Sequence, residues 1–100
     1  MTENRVRVDH QKALAQAGKL REWAEEMRAA RSRYNEALAS LETAWTGAEA
    51  QQYLAKARRE LPKMDRHAKH IDELAQAITR IANVYRQQEL AKIRAQRTRS

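Results

Sequence analysis

In this chain of 100 residues the side chains able to do chemistry are few, and their spacing limits what they do. His67 and His70 stand one helical turn apart, which suits a metal pair, but a zinc site takes three or more ligands, and the neighbouring cations Arg66 and Lys69 oppose a metal ion. No metal is expected. The absence of Cys removes disulfides, thiolate ligands and cysteine nucleophiles. No Ser/His/Asp set, glycine-rich phosphate loop or paired-carboxylate pocket is evident, so neither catalysis, a cofactor nor a small-molecule substrate is expected. What remains is recognition. Tyr85 and Glu89, four residues apart, project from one side of a helix and offer a ring to bury and a carboxylate for a charge-assisted hydrogen bond. Trp45-Thr46-Gly47 joins a large aromatic to a residue that accepts turn backbone readily.

Helices must position these residues. With 2 Gly, 1 Pro and 33% charged residues, the chain lacks the turn punctuation of a β or α/β domain. Ala supplies 19 of the 42 hydrophobic residues, so one thin core and one domain are expected. Ala13, Ala17, Leu20, Ala24, Met27, Arg31, Tyr34, Leu38, Leu41 and Trp45 follow alternating four- and three-residue steps, one helical seam with Arg31 as its only charge. This predicts helix one over about 9–43, capped by Asp9, with Val8 stapled onto Ala13. Ala50, Leu54, Ala57, Leu61, Met64, Ala68, Ile71, Ala75, Ile78, Ala82 and Tyr85 repeat the pattern and predict helix two over about 47–90. Pro62 predicts a kink.

Residues 44–47 leave room only for a sharp reversal, so the expected fold is all-α, an antiparallel two-helix hairpin. Thr46 and Glu49 read as a capping box, Gly47 as the site of a tight backbone approach, and the Trp45 ring as closing the end of the hairpin. If that ring is buried, its removal costs ~3 to 5 kcal/mol. Helices of this length make a rod of ~50 Å. Leu74, Ile81 and Val84 broaden the second seam beyond what one hairpin buries, which predicts dimerisation into a four-helix bundle. The side chains expected in core or dimer contacts are Leu20, Met27, Tyr34, Leu38, Leu41, Leu54, Leu61, Met64, Ile71, Leu74, Ile78 and Ile81.

The formal net charge is +7, carried mainly by the second half: residues 48–100 hold 12 basic and 6 acidic side chains. Residues 91–100, with Lys92, Arg94, Arg97 and Arg99, read as a basic, frayed tail. Along the second half the cations read as scattered around the helix, which allows weak, nonspecific anionic partners. The longest apolar runs are triplets such as Ala37-Leu38-Ala39, too short for a signal peptide or a membrane span. Export, if it occurs, must use a route that reads no N-terminal hydrophobic signal.

Trp45-Thr46-Gly47 at a helix-helix turn in mid-chain, followed by Tyr85-Arg-Gln-Gln-Glu89 late in helix two, resembles the WXG100 family, the early-secreted-antigen type proteins of type VII (ESX) secretion. The resemblance covers nearly the whole chain. It implies a hairpin that forms a homodimer or a heterodimer with a WXG100 paralogue, made in the cytoplasm and secreted without a cleaved signal peptide. It further implies that a type VII secretion ATPase reads a signal at Tyr85 and Glu89, with Trp45 and Gly47 of the partner subunit nearby. A tight turn needs Trp45 and Gly47 for folding as well, and Tyr85 also ends a core seam, so both roles are compatible. The resemblance therefore points to a non-enzymatic substrate or co-secretion chaperone; the alternative is a basic helical nucleic-acid-binding or nucleoid-associated protein.

Overall fold

The computed structural model describes residues 2–99. Three helices, α1 (Glu3–Ala44), α2 (Ala48–Arg58) and α3 (Glu60–Arg99), form an antiparallel hairpin in which α2 and α3 make up the returning arm. No strand occurs among the described residues. The chain packs as two compact units: a turn unit, Glu22–Ile71, and a terminal unit built from the chain up to Arg21 and from Asp72 onward.

Each predicted seam resolves into two lines of seven-residue steps. The inner line of the returning arm, Leu54, Leu61, Ala68, Ala75 and Ala82, is buried. Its α1 counterpart is Ala17, Ala24 and Leu38, with Val6 buried nearer the start. The outer line of the returning arm, Ala57, Met64, Ile71, Ile78 and Tyr85, is half-buried. On α1 the outer line is Leu20 and Met27, half-buried, then Tyr34 and Leu41, exposed. The cause is geometric: one helix facing one other helix covers a single heptad line, whereas covering both takes further helices.

Arg31 falls on the inner line of α1. Its Nε, shielded from water, lies 3.2 Å from Asp65 Oδ1 on α3. The seam's one charge is thus answered across the turn unit.

Several local expectations are corrected. Helix α1 begins at Glu3, not near Asp9: Thr2 caps it, its Oγ1 accepting from Arg5 N–H at 3.1 Å, and buried Val6 anchors the added turns. Asp9 therefore lies inside the helix, where it caps nothing. The Thr46/Glu49 capping box does not form. Gly47 is the N-cap, no side chain caps α2, and the Gly47 carbonyl accepts from Gln51 N–H at 3.1 Å. Nor does Gly47 serve a close approach, since a Cβ there would meet nothing within 4 Å; what glycine supplies is φ +106°.

The returning arm is interrupted at Arg59, three residues before Pro62. Pro62 has no N–H for the Arg58 carbonyl, and Arg59 N–H turns instead to Lys56 O at 3.3 Å. Beyond residue 90 the chain is helical to Arg99 rather than frayed. Leu90 and Ile93 are half-buried, Arg97 Nη1 lies 2.8 Å from Glu3 Oε1, and Thr98 Oγ1 donates to Ala95 O at 2.9 Å. These contacts hold the last turns.

Candidate functional site

In the terminal unit, Tyr85 on α3 reaches across to α1, where its hydroxyl donates to Asp9 Oδ2 at 3.3 Å. Asp9 Oδ1 in turn lies 3.4 Å from Arg5 Nε, one helical turn earlier. Burial first, then the negative charge of Asp9, pushes the Tyr85 hydroxyl above its ordinary pKa, so the ring stays neutral and donating over the physiological range. Glu89 follows Ala82 by seven residues and so extends the inner line. Its side chain is only 21% exposed and lies 3.2 Å from Lys92 Nζ. Tyr85 and Glu89 are close enough for the carboxylate to act on the phenol, contributing to the same upward shift.

Beside this pair, Asp9, His10, Ala13, Ile78, Ile81, Ala82 and Tyr85 line an apolar groove of about 340 Å³. Ile81 is 64% exposed on its wall, and Leu74, seven residues earlier, is 52% exposed. His10, in the groove lining, is hydrogen-bonded through Nε2 to Asn83 Oδ1 at 2.7 Å. The polar contacts fix the two helices around the groove, and the groove itself offers hydrophobic area and little else.

Trp45 and Gly47 belong to the turn unit. Trp45 N–H donates to Leu41 O at 2.8 Å, which holds the backbone, but the ring is 45% exposed and so does not close off the hairpin. It lines a shallow recess with Thr46, Glu49, Ala50 and Tyr53, and Tyr53 is 69% exposed. Trp23, Tyr34 and Leu41 lie on one side of α1 and, like Trp45 just beyond its end, are exposed. Just beneath the turn, Arg58 binds the Glu42 carboxylate through both guanidinium nitrogens, which lowers the Glu42 pKa, chiefly by hydrogen bonding and then by charge.

His67 and His70 line a shallow recess with Lys63 and Arg66. No cluster of three His, Cys, Asp or Glu able to hold a metal occurs among the described residues. No helix among them is long and apolar enough to cross a membrane.

Sequence reasoning missed Asp9 as the partner of Tyr85, the His10–Asn83 bridge, and Trp23 and Tyr53 as exposed aromatics. The first two join residues 76 and 73 positions apart, which no local pattern reveals. Glu89 is named from its spacing to Tyr85, and its place on the inner line was findable too, because the seven-residue step from Ala82 is written in the sequence.

An all-helical hairpin with a Trp-x-Gly reversal and a Tyr-x-x-x-Glu pair late in its returning arm defines a class of small helical interaction proteins. The model of the WXG100 family, proteins of 100 residues with WXG, matches residues 5–90, and the chain belongs to that family. It is therefore a small protein associated with type VII secretion. Neither a curated protein nor a solved structure gives a match.

Proposed function

We propose that this protein is a non-enzymatic substrate or co-secretion chaperone of a type VII (ESX) system, acting as a dimer with itself or a WXG100 paralogue. The outer heptad line and the groove walled by Ile81 are covered in the dimer, giving a four-helix bundle. Tyr85 and Glu89 form the signal read by the secretion ATPase, with the partner's Trp-x-Gly turn beside them. One observation carries the reading: large apolar side chains, Trp45, Leu74 and Ile81 among them, stay exposed on a chain whose inner seam is already closed.

Glu89→Gln and Trp45→Ala are the variants to test, each compared in culture supernatant and cell lysate. Both are expected to remain folded and helical, to accumulate in the lysate and to be depleted from the supernatant. Light scattering of the unmodified protein, alone and with a neighbouring family member, is expected to give two chains per particle. Normal export of both variants overturns the assignment of the signal, and a stable monomer with every candidate partner overturns the dimer.

A further inference from the structure

The terminal unit carries 11 Lys and Arg against 5 Asp and Glu, a net charge of +6, whereas the turn unit holds 9 against 8, a net of +1. Nearly all of the +7 is thus gathered in one unit. Within it, part of the charge on α3 falls along one face. Gln76, Arg80, Asn83, Gln87, Leu90, Arg94 and Arg97 follow four- and three-residue steps along α3, an acid-free stripe of cations and amides. Roughly 180° around the helix lies the apolar flank with Leu74, Ile78, Ile81 and Tyr85. Arg80, Arg94 and Arg97 therefore share the side away from the apolar groove, whereas Lys92 and Arg99 continue the Tyr85 line on the other side.

α1 adds to this face. Arg21 Nη2 donates to Thr79 Oγ1 at 3.1 Å and shares a cleft with Gln76, Arg80, Asn83 and Gln87 that contains no acid. Arg7 and Arg86 line a second cleft with Glu3. Glu3 is already engaged by Arg97, while Arg7, Arg21, Arg80, Arg86 and Arg94 make no carboxylate pair. Five exposed guanidiniums interleaved with amide donors match the repeating phosphates of a nucleic-acid backbone. A bilayer fits less well, because surface-lying helices turn many large apolar side chains toward the lipid and this face presents only two, half-buried Leu90 and exposed Val84. We propose that the Arg80–Arg94 face of the terminal unit binds the phosphate backbone of duplex nucleic acid without sequence preference. This surface is separate from the groove and the Tyr85–Glu89 pair, so it stands or falls independently of the export reading.

The test is titration of the full chain against a fluorescent 20-base-pair DNA duplex between about 50 and 200 mM salt. Five phosphate contacts predict a slope of log K against log salt near −4.5, a loss of roughly 500-fold across that range. The triple variant Arg80→Gln/Arg86→Gln/Arg94→Gln is expected to reduce the slope to about −2, and each single variant to reduce it by about 0.9. The triple variant Arg33→Gln/Lys56→Gln/Arg59→Gln removes the same charge from the turn unit and is expected to keep the steep slope. Circular dichroism checks each fold, and the single variants decide the matter if a triple variant unfolds. Equal losses in both triple variants overturn the proposal in favour of net charge alone. So do an absence of binding at the lowest salt and an Arg80–Arg94 dependence that appears with phosphatidylserine vesicles but not with DNA.

Discussion

The turn unit and the terminal unit follow the same heptad register but fill it differently. In the turn unit the inner line is made chiefly of Leu38, Leu54 and Leu61, and its cross-helix polar contacts include the ion pairs Arg31–Asp65 and Glu42–Arg58. In the terminal unit the same line is Ala17, Ala75 and Ala82, with Val6 buried apart from it, and the contacts between the helices include Tyr85–Asp9, His10–Asn83, Arg21–Thr79 and Arg97–Glu3. Each Leu in place of Ala buries about three more carbons at ~0.8 kcal/mol apiece, so the turn unit has the stronger core of its own. The terminal unit keeps its larger side chains, Leu74 and Ile81, on a flank that the chain does not cover. In the proposed dimer, this unit, with its small inner core and exposed apolar flank, is the one that a second chain completes.

The largest expected effect breaks or upholds this contrast directly. Leu54→Ala should lower stability by ~2 to 5 kcal/mol at any protein concentration, since it opens a cavity within one chain. Leu74→Ala should cost an amount that grows with protein concentration, because its burial depends on a partner. Urea denaturation followed by circular dichroism measures both, and a concentration-independent loss at Leu74 equal to that at Leu54 breaks the contrast. Next in size, Ala82→Leu should destabilise by ~1 to 3 kcal/mol, since a larger side chain on the inner line of the terminal unit overpacks it. Stabilisation by Ala82→Leu, seen in the same denaturation curves, would mean that the alanine line leaves room.

Much of this fold was legible. The four- and three-residue steps gave both arms of the hairpin, and Gly47 marked the reversal. The distinction between inner and outer lines was not, because Leu20 and Ala24 fit the same periodicity, and only the facing arm decides which is covered. The helix start at Glu3 was hidden by a run of polar residues in which Val6 alone is buried. Of the site, Tyr85, Glu89 and Trp45 were legible as types at a spacing. The Asp9 carboxylate on Tyr85 was not, since it depends on the register of two arms 76 residues apart in sequence.

Trp45→Ala sharpens the contrast on the turn side. With the ring 45% exposed, its removal should cost less than about 1 kcal/mol, well below the loss for a buried ring. A loss of 3 kcal/mol or more in the isolated chain, or one that appears only at high concentration, distinguishes a hidden structural role from a partner contact.

The smallest effects separate the units by pH. Glu42 in the turn unit has a pKa held below its ordinary value by Arg58, so the pair stabilises the fold above the ordinary carboxylate range and is lost as pH falls through the lowered value. Tyr85 in the terminal unit has a pKa raised above its ordinary value near 10, so its contribution is complete below that pH and is lost as pH rises through the raised value. Acid should therefore loosen the turn unit through Glu42, and alkali the terminal unit through Tyr85. The aromatic residues report on the two separately: both Trp, with Tyr34 and Tyr53, fall in the turn unit, and Tyr85 is the only aromatic residue in the terminal unit. Glu42→Gln should weaken the acid dependence of tryptophan fluorescence while leaving the alkaline behaviour intact. Tyr85→Phe should remove the alkaline loss of helix while leaving the acid limb unchanged. If Tyr85→Phe leaves the alkaline loss of helix unchanged, the Asp9 contact does not hold the terminal unit together in solution, and the groove beside Ile81 lacks the fixed wall that the proposed dimer requires.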